Sequence, residues 1–473
     1  MVEVIKNRVT LGLSIFLLSA VILGIGTNSK SYSSPDEKRY IQSAYEMVEG
    51  GDWITPRYHN RPRFQKPALF YWLSASSVAI FGQTWLAARI PSVLFGAATV
   101  LIAYLLGTSL FDRRAGFFSA SALLASEVFF LYSRLATPDM VTVFFISLAI
   151  YLFLRLYSAK HSRLTEYSFF AVLGLAMLTK GFAGFLIPLI VIALFFIARR
   201  KELPRHKLNI PLGITIFLAV SLPWFIIMYK VHGTAYLDHI WQVETIDRAR
   251  NIFIGTGSVI IEGFRSIFRY ILLVFILFLP ASLLIPGVME NIIKKRGLSR
   301  GYLLTLIWIG TVILFYSIIG AKKTHYLLAM APAVAIILGK YLSDFTEDRG
   351  GWAFFYLPAT VAMICYTAII GVLLYLMKYL LSIETPLWCG FMVLVPIVSL
   401  FVIYRYGRLE AVRAFLIASV LIFIFAFGFA LPALNDDNGL ISITDKILTV
   451  YDQGDTVGIG SHFISHNRVD AYM

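Results

Sequence analysis

Three groups of ionisable residues stand out in a chain that otherwise carries few of them. Asp36, Glu37 and Arg39 follow one another in SSPDEKRY, Asp139 lies in RLATPDM, and Lys66, Lys180, Lys322 and Lys323 punctuate KPALF, LTKG and GAKKTHY. Each sits at the edge of an apolar run, where an ionisable side chain is costly unless it is solvated, paired or working. Carboxylates at such a boundary can orient or deprotonate an acceptor. Ammonium and guanidinium groups there can hold a phosphate at headgroup depth, and Arg248 joins the lysines in that role. The bland readings are a hydrated loop for Asp36, a complemented helix dipole for Asp139, and lysines that snorkel to water. What favours chemistry is that all these residues fall on one side of a membrane, which follows from the elements between them.

The chain has 473 residues, of which 58% are hydrophobic, 15% aromatic and 14% charged, and its mean hydropathy is +0.76. An ordinary soluble domain is excluded by those values. Apolar runs of about 17 to 25 residues recur, the length of a helical membrane span, and they lack the short alternating pattern of a barrel. The net charge of +14 does not point to nucleic acid, because Lys and Arg gather in short loops as the positive-inside bias places them in the cytoplasm. Cys365 and Cys389 have no metal-ligand spacing and read as buried thiols. The run from Leu11 to Gly26 reads as a retained first span, since no small-residue cleavage site follows it.

The expected fold is an all-α polytopic bundle of about 13 transmembrane helices with extracytoplasmic juxtamembrane helices. They lie near residues 9–26, 89–110, 116–133, 140–157, 167–179, 182–198, 210–229, 267–287, 302–319, 326–342, 352–375, 388–404 and 412–431. Basic clusters around Arg113, Lys160, Arg199, Lys294 and Arg405 then share the cytoplasmic side with the N-terminus. The stretch from Lys66 to Phe81 is laid along the interface, because a crossing there inverts every later loop; Tyr71 and Trp72 suit headgroup depth. Residues 1–432 form the membrane domain, with an outer catalytic loop at 27–88, and residues 433–473 form a short extracytoplasmic tail with strand-like runs from Ile447 and Thr456. Pro35 and the serines before it, and Thr137 with Pro138, mark helix starts that put Asp36, Glu37 and Asp139 in first turns.

The run DEKRYIQSAYEMVEGGDWITPRYHNRPRFQKPALFYWL, followed by AARIPSVLFG, SRLATPDM, LTKG, LPW and AKKTHYLLAMAPAVA, resembles the bacterial 4-amino-4-deoxy-L-arabinose lipid A transferases and their protein O-mannosyltransferase-like relatives in the GT-C superfamily. The resemblance reaches to about residue 340. It implies that Asp36 and Asp139 are the active-site acids, that Arg39 lies beside Asp36, and that Lys66, Lys180, Arg248 and Tyr326 line a carrier-phosphate pocket with Lys322 near it. Two positions depart from the pattern. Gln65 stands where relatives often have Glu, and Thr245 where they often have His, a pair that holds a metal ion in some of them. An amide and a hydroxyl are poor replacements as ligands, so no metal and no other cofactor is expected.

These readings converge on an inverting, polyprenyl-phosphate-sugar-dependent hexosyl- or pentosyltransferase of the cell envelope. Its expected place is the bacterial inner membrane, with the N-terminus cytoplasmic and the C-terminus extracytoplasmic. Its expected partners are an undecaprenyl-type donor, a lipid, glycan or protein acceptor such as lipid A, and membrane lipid, with no nucleic acid. Two rivals belong to other classes: a transporter or flippase of lipid-linked sugar, and a non-catalytic membrane scaffold. The first predicts ionisable residues near the bilayer midplane within inverted repeats; here they cluster at one boundary. The second predicts loss of the acids, which are present.

Overall fold

The computed structural model describes residues 2–28, 35–157, 162–199, 208–240, 259–294, 298–318, 323–347, 351–380 and 387–436. Every apolar stretch singled out above is helical, and the strands among the described residues form one short hairpin, Arg57–Tyr58 against Arg61–Pro62. Eight of the described helices are long and apolar enough to cross a membrane, or nine if one bent pair counts as a span. The chain is a multi-pass helical membrane protein.

Three stretches expected as single spans are broken. Residues 116–133 form two helices, Arg113–Leu124 and Glu127–Tyr132, and residues 388–404 form Leu387–Phe391 and Leu394–Arg405. Residues 267–287 bend by 106° between Ile267–Leu277 and Ala281–Lys294. Hydropathy measures how long an apolar run is; it does not register the direction changes inside one. The stretch expected along the interface is the 13-residue helix Leu69–Phe81, shorter than a span needs. It packs against Pro35–Gly50 and Trp85–Leu110.

At the centre, helix Ala331–Thr346 lies along Arg113–Leu124, which in turn lies along Trp85–Leu110. Without a hydrophobic drive between helices in lipid, close packing depends on small residues. A Cβ at Gly116 would come within 2.6 Å of the Tyr104 carbonyl oxygen, and one at Gly339 within 2.7 Å of the Ala115 oxygen. Their absence of a side chain permits this backbone approach.

The same helices have two chemically different ends. Helix Trp85–Leu110 starts at the Thr84 cap, where the hydroxyl accepts from the Ala87 amide, and ends near Asp112, which pairs with Lys340 at 3.3 Å. Arg114 pairs with Glu347 at that far end. Helix Ala331–Thr346 runs from the near end, beside Tyr326, to the far one at Glu347. The described charged residues at these helix ends, Asp112, Arg114, Lys340 and Glu347, therefore lie at the end away from Tyr326. Cys389 is buried, as expected, but Cys365 is exposed on helix Ala353–Tyr375.

Candidate active site

Helix Pro35–Gly50 begins with Asp36 and Glu37 in its first turn. It buries Glu37, Tyr40, Ile41, Ala44 and Met47, a stripe at helical spacing. This stripe faces the bundle and turns Asp36 and Arg39 toward a cavity. Thr137 takes an extended conformation and Pro138 opens the next helix, so Asp139 occupies its first turn. Gly181, at φ +66°, ends helix Arg163–Lys180 immediately after Lys180. A left-handed residue of this kind suits glycine, and the cation lies at the carbonyl end of its helix, where the dipole favours it.

These helix ends converge on a cavity of about 680 Å³ lined by Asp36, Arg39, Lys66, Asp139, Lys180 and Tyr326. All the site residues expected from the sequence that lie among the described residues are therefore together. Arg248, Lys322 and Thr245 lie outside the described residues, as does most of the expected tail. Asp36 accepts from Lys323 Nζ at 3.0 Å and from Arg39 Nη1 at 3.2 Å. Partial burial pushes the Asp36 carboxyl up, but the Lys323 bond and charge, with Arg39 and His325, more than offset it and hold the group below its ordinary value. Asp139 and Lys180 form a buried ion pair, with side chains only 8% and 10% exposed. His325 Nε2 lies 4.0 Å from the Asp139 carboxylate and also acts electrostatically on Asp36. Lys180 Nζ sits over the Tyr326 ring, 5.3 Å from its centre, and Tyr316 stacks on that same ring with centres 4.4 Å apart.

Glu37, adjacent to Asp36, does different work. It is fully buried and receives two bonds from Arg89, Nε at 2.7 Å and Nη2 at 3.0 Å. It also accepts the Ala136 amide at 2.7 Å, while Arg89 Nη1 donates to the Thr27 carbonyl at 2.6 Å. One ion pair thus ties together the segment before Asp36, helix Trp85–Leu110 and the turn three residues before Asp139. Glu37 and Arg89 position the two acids; they do not line the cavity.

Residues that sequence reasoning missed as site components are His325, Tyr40, Arg61 and Arg63, all lining the cavity; Lys323, one of the boundary lysines expected to hold phosphate, lines it as well. Arg61 and Arg63 belong to the hairpin region, whose turn uses left-handed His59 and Asn60 held by Glu46, which accepts both their amides. The pattern PRYHNRPRF signals a turn at HN, which folds Arg61 back against Tyr58. Gln65 also lines the cavity. Its amide is a poor metal ligand, and no group of three or more His, Cys, Asp or Glu among the described residues could hold a metal ion.

Residues 65–227 match the family model described as dolichyl-phosphate-mannose-protein mannosyltransferase. An uncharacterized protein of Aquifex aeolicus is 30% identical over 331 residues, 70% of this chain and 72% of its own length. The undecaprenyl phosphate-alpha-4-amino-4-deoxy-L-arabinose arabinosyl transferase 2 of Proteus mirabilis is 29% identical over 321 residues, 67% of this chain and 56% of that one. By these matches the chain is similar to the glycosyltransferases of the aminoarabinose-transferase type. It spans little more than half the length of several relatives, 56% for the Proteus protein and 59% for another uncharacterized Aquifex protein. Among solved structures, the GT-C fold recurs in ArnT from Cupriavidus metallidurans bound to undecaprenyl phosphate, at a TM-score of 0.73 and 22% identity over 99% of this chain and 84% of that one. An oligosaccharyltransferase from Archaeoglobus fulgidus shares the GT-C architecture more distantly, at a TM-score of 0.52 and 14% identity, covering 94% of this chain and 58% of that one.

Proposed function

We propose that this chain transfers a sugar from a polyprenyl-phosphate carrier to an acceptor at the extracytoplasmic face of a bacterial inner membrane. The observation that carries the reading is the single cavity in which two carboxylates, Asp36 and Asp139, stand among Lys66, Lys180 and Lys323. The family match and the undecaprenyl-phosphate enzymes among the relatives support the carrier.

The leaving group in such a transfer is the carrier phosphate, on which negative charge grows as the glycosidic bond breaks. Lysines fixed in a partly buried site stabilise that charge in the transition state more than in water. Lys180 is suited to this because Asp139 and the Tyr326 ring fix its position before substrate arrives. Asp36 orients the acceptor, whose attack from the opposite side inverts the anomeric centre. For a hydroxyl acceptor Asp36 also takes the proton. Its carboxyl is held below the ordinary value, away from the range that suits a general base, which favours the orienting role and an acceptor that is already an anion. No step needs a nucleotide or a metal.

The test is transfer of radiolabelled sugar from synthetic undecaprenyl-phosphate hexoses and pentoses to total lipid, glycan and protein fractions, with Asp36→Ala as the control. Label in one fraction, lost in the control, supports the transferase and identifies the acceptor class. Carrier that binds and crosses liposome membranes with no transfer to any fraction instead supports the transporter.

A further inference from the structure

Arg63 is a charged residue with no obvious employment. It is only 8% exposed, it lines the central cavity, and its Nε and Nη1 find no hydrogen-bond partner among the described residues. Its contact in the protein is the face of Tyr40, 4.6 Å from guanidinium carbon to ring centre. Burying a guanidinium without a carboxylate is strongly unfavourable, and a ring face offsets only part of that cost. Every other charged group described here at the cavity's acids has a partner: Lys180 has Asp139, and Lys323 and Arg39 share Asp36.

The charge balance of the cavity points the same way. Its described lining holds six cations, Arg39, Arg61, Arg63, Lys66, Lys180 and Lys323, against the two carboxylates Asp36 and Asp139, which leaves four positive charges. A sugar joined to a polyprenyl phosphate is a phosphodiester carrying one negative charge. The donor phosphate alone leaves the cavity strongly positive, and a cationic sugar makes the imbalance worse. Arg61 and Arg63 are two residues apart in an extended run, so they lie on one side of it. Tyr40, under Arg63, lines the same cavity as Asp36 and Asp139.

We propose that Arg63, with Arg61 at the rim, forms a subsite for a second anionic group, a carboxylate or phosphate on the sugar or on the acceptor, separate from the carrier phosphate. A cavity-lining guanidinium with no carboxylate partner offers either oxyanion a charge-assisted contact. The proposal rests on the transferase reading, and it adds that the substrate pair carries more negative charge than the carrier supplies. Arg63 would then decide which substrate is accepted, by leaving a buried guanidinium unpaired when a neutral one enters.

The full chain in detergent micelles would be titrated with two matched pairs of probes: undecaprenyl-phosphate glucose against undecaprenyl-phosphate glucuronate, and dephosphorylated against phosphorylated lipid A. Bare undecaprenyl phosphate serves as the carrier control. The expected result is that the wild type binds the anionic member of one pair about 10- to 100-fold more tightly than the neutral one, the range of a charge-assisted contact. Arg63→Gln should bring that ratio close to unity, and Arg63→Lys should retain part of it. A variant that is merely damaged lowers both affinities and keeps their ratio. A ratio seen with the sugar pair places the anion on the donor; one seen with the lipid A pair places it on the acceptor. Wild-type ratios near unity in both pairs, or a ratio preserved in Arg63→Gln, overturn the subsite while carrier binding leaves the transferase standing. Failure of the wild type to bind bare undecaprenyl phosphate overturns the transferase reading and this subsite with it.

Discussion

The Glu37–Arg89 pair offers the sharpest test of how the site is assembled. Both side chains are almost wholly buried, at 0% and 3% exposed, and they share two hydrogen bonds of 2.7 and 3.0 Å. Removing one partner leaves the other charge buried and unpaired, which costs about 3–5 kcal/mol. Glu37→Ala also orphans the Ala136 amide, adding about 1–3 kcal/mol. Arg89→Leu frees the Thr27 carbonyl, which lies near the helix end, at a smaller cost of about 1 kcal/mol. The double variant Glu37→Met/Arg89→Leu has no stranded charge and should recover most of the loss, since apolar replacements of buried pairs are often close to neutral. Detergent-solubilised wild type, both singles and the double form a cycle read by reversible denaturation. A coupling energy of about 2–3 kcal/mol or more is expected for groups in one network. Activity should recover less than stability in the double, because the segment before Asp36 and the turn before Asp139 lose their shared anchor. Additive effects, or single variants within about 0.5 kcal/mol of wild type, would refute the reasoning.

Lys180→Gln should lower kcat/KM for sugar transfer by about 100- to 1,000-fold, the usual effect of removing a fixed donor at a developing charge. Adding Asp139→Asn should restore thermal stability without restoring transfer, and full recovery of both would contradict the assignment of Lys180. The Asp36 pair with Lys323 has a defined pH sign. A carboxyl held below its free value near 3.8 contributes fully above that value, and its contribution is lost only as pH falls through the lower folded value. In a His325→Gln background, steady-state transfer should therefore show no acid limb between about pH 5 and 8; a midpoint within that window would mean Asp36 is not held down. Chelation with EDTA, followed by assay without added metal, should leave the transfer rate unaltered; a loss reversed by added zinc or magnesium would show that Gln65 and its neighbours do hold an ion.

Much of the site was legible because its residues sit where helices start and stop. Pro35, the Thr137–Pro138 pair and the Lys180–Gly181 step are local signals, each readable without a partner, and loop charge alone put them on one side. Meeting in one cavity is the tertiary consequence of that shared side. Tyr326 came only through the resemblance, since a tyrosine in an apolar run carries no local mark. Glu37 looked like a second helix-start acid beside Asp36. Its true role depends on Arg89, 52 residues away, and no local pattern links the two. Arg63 and His325 escaped for a similar reason: whether a cation has a partner is a property of packing. The broken helices at Ala125–Ser126 and around Phe278–Pro280 were hidden because an apolar run keeps the same composition whether it is straight or bent.

The central claim is that one cavity holds the carrier phosphate between the two acids and the lysines. A cryo-electron microscopy structure of the full chain with undecaprenyl phosphate bound tests it most directly. The account predicts phosphate density within hydrogen-bonding distance of Lys66, Lys180 or Tyr326, in the cavity that also contains Asp36 and Asp139. Phosphate density instead at the apolar groove between helices Leu394–Arg405 and Arg408–Phe425, beside Arg413, with the central cavity empty, would contradict it.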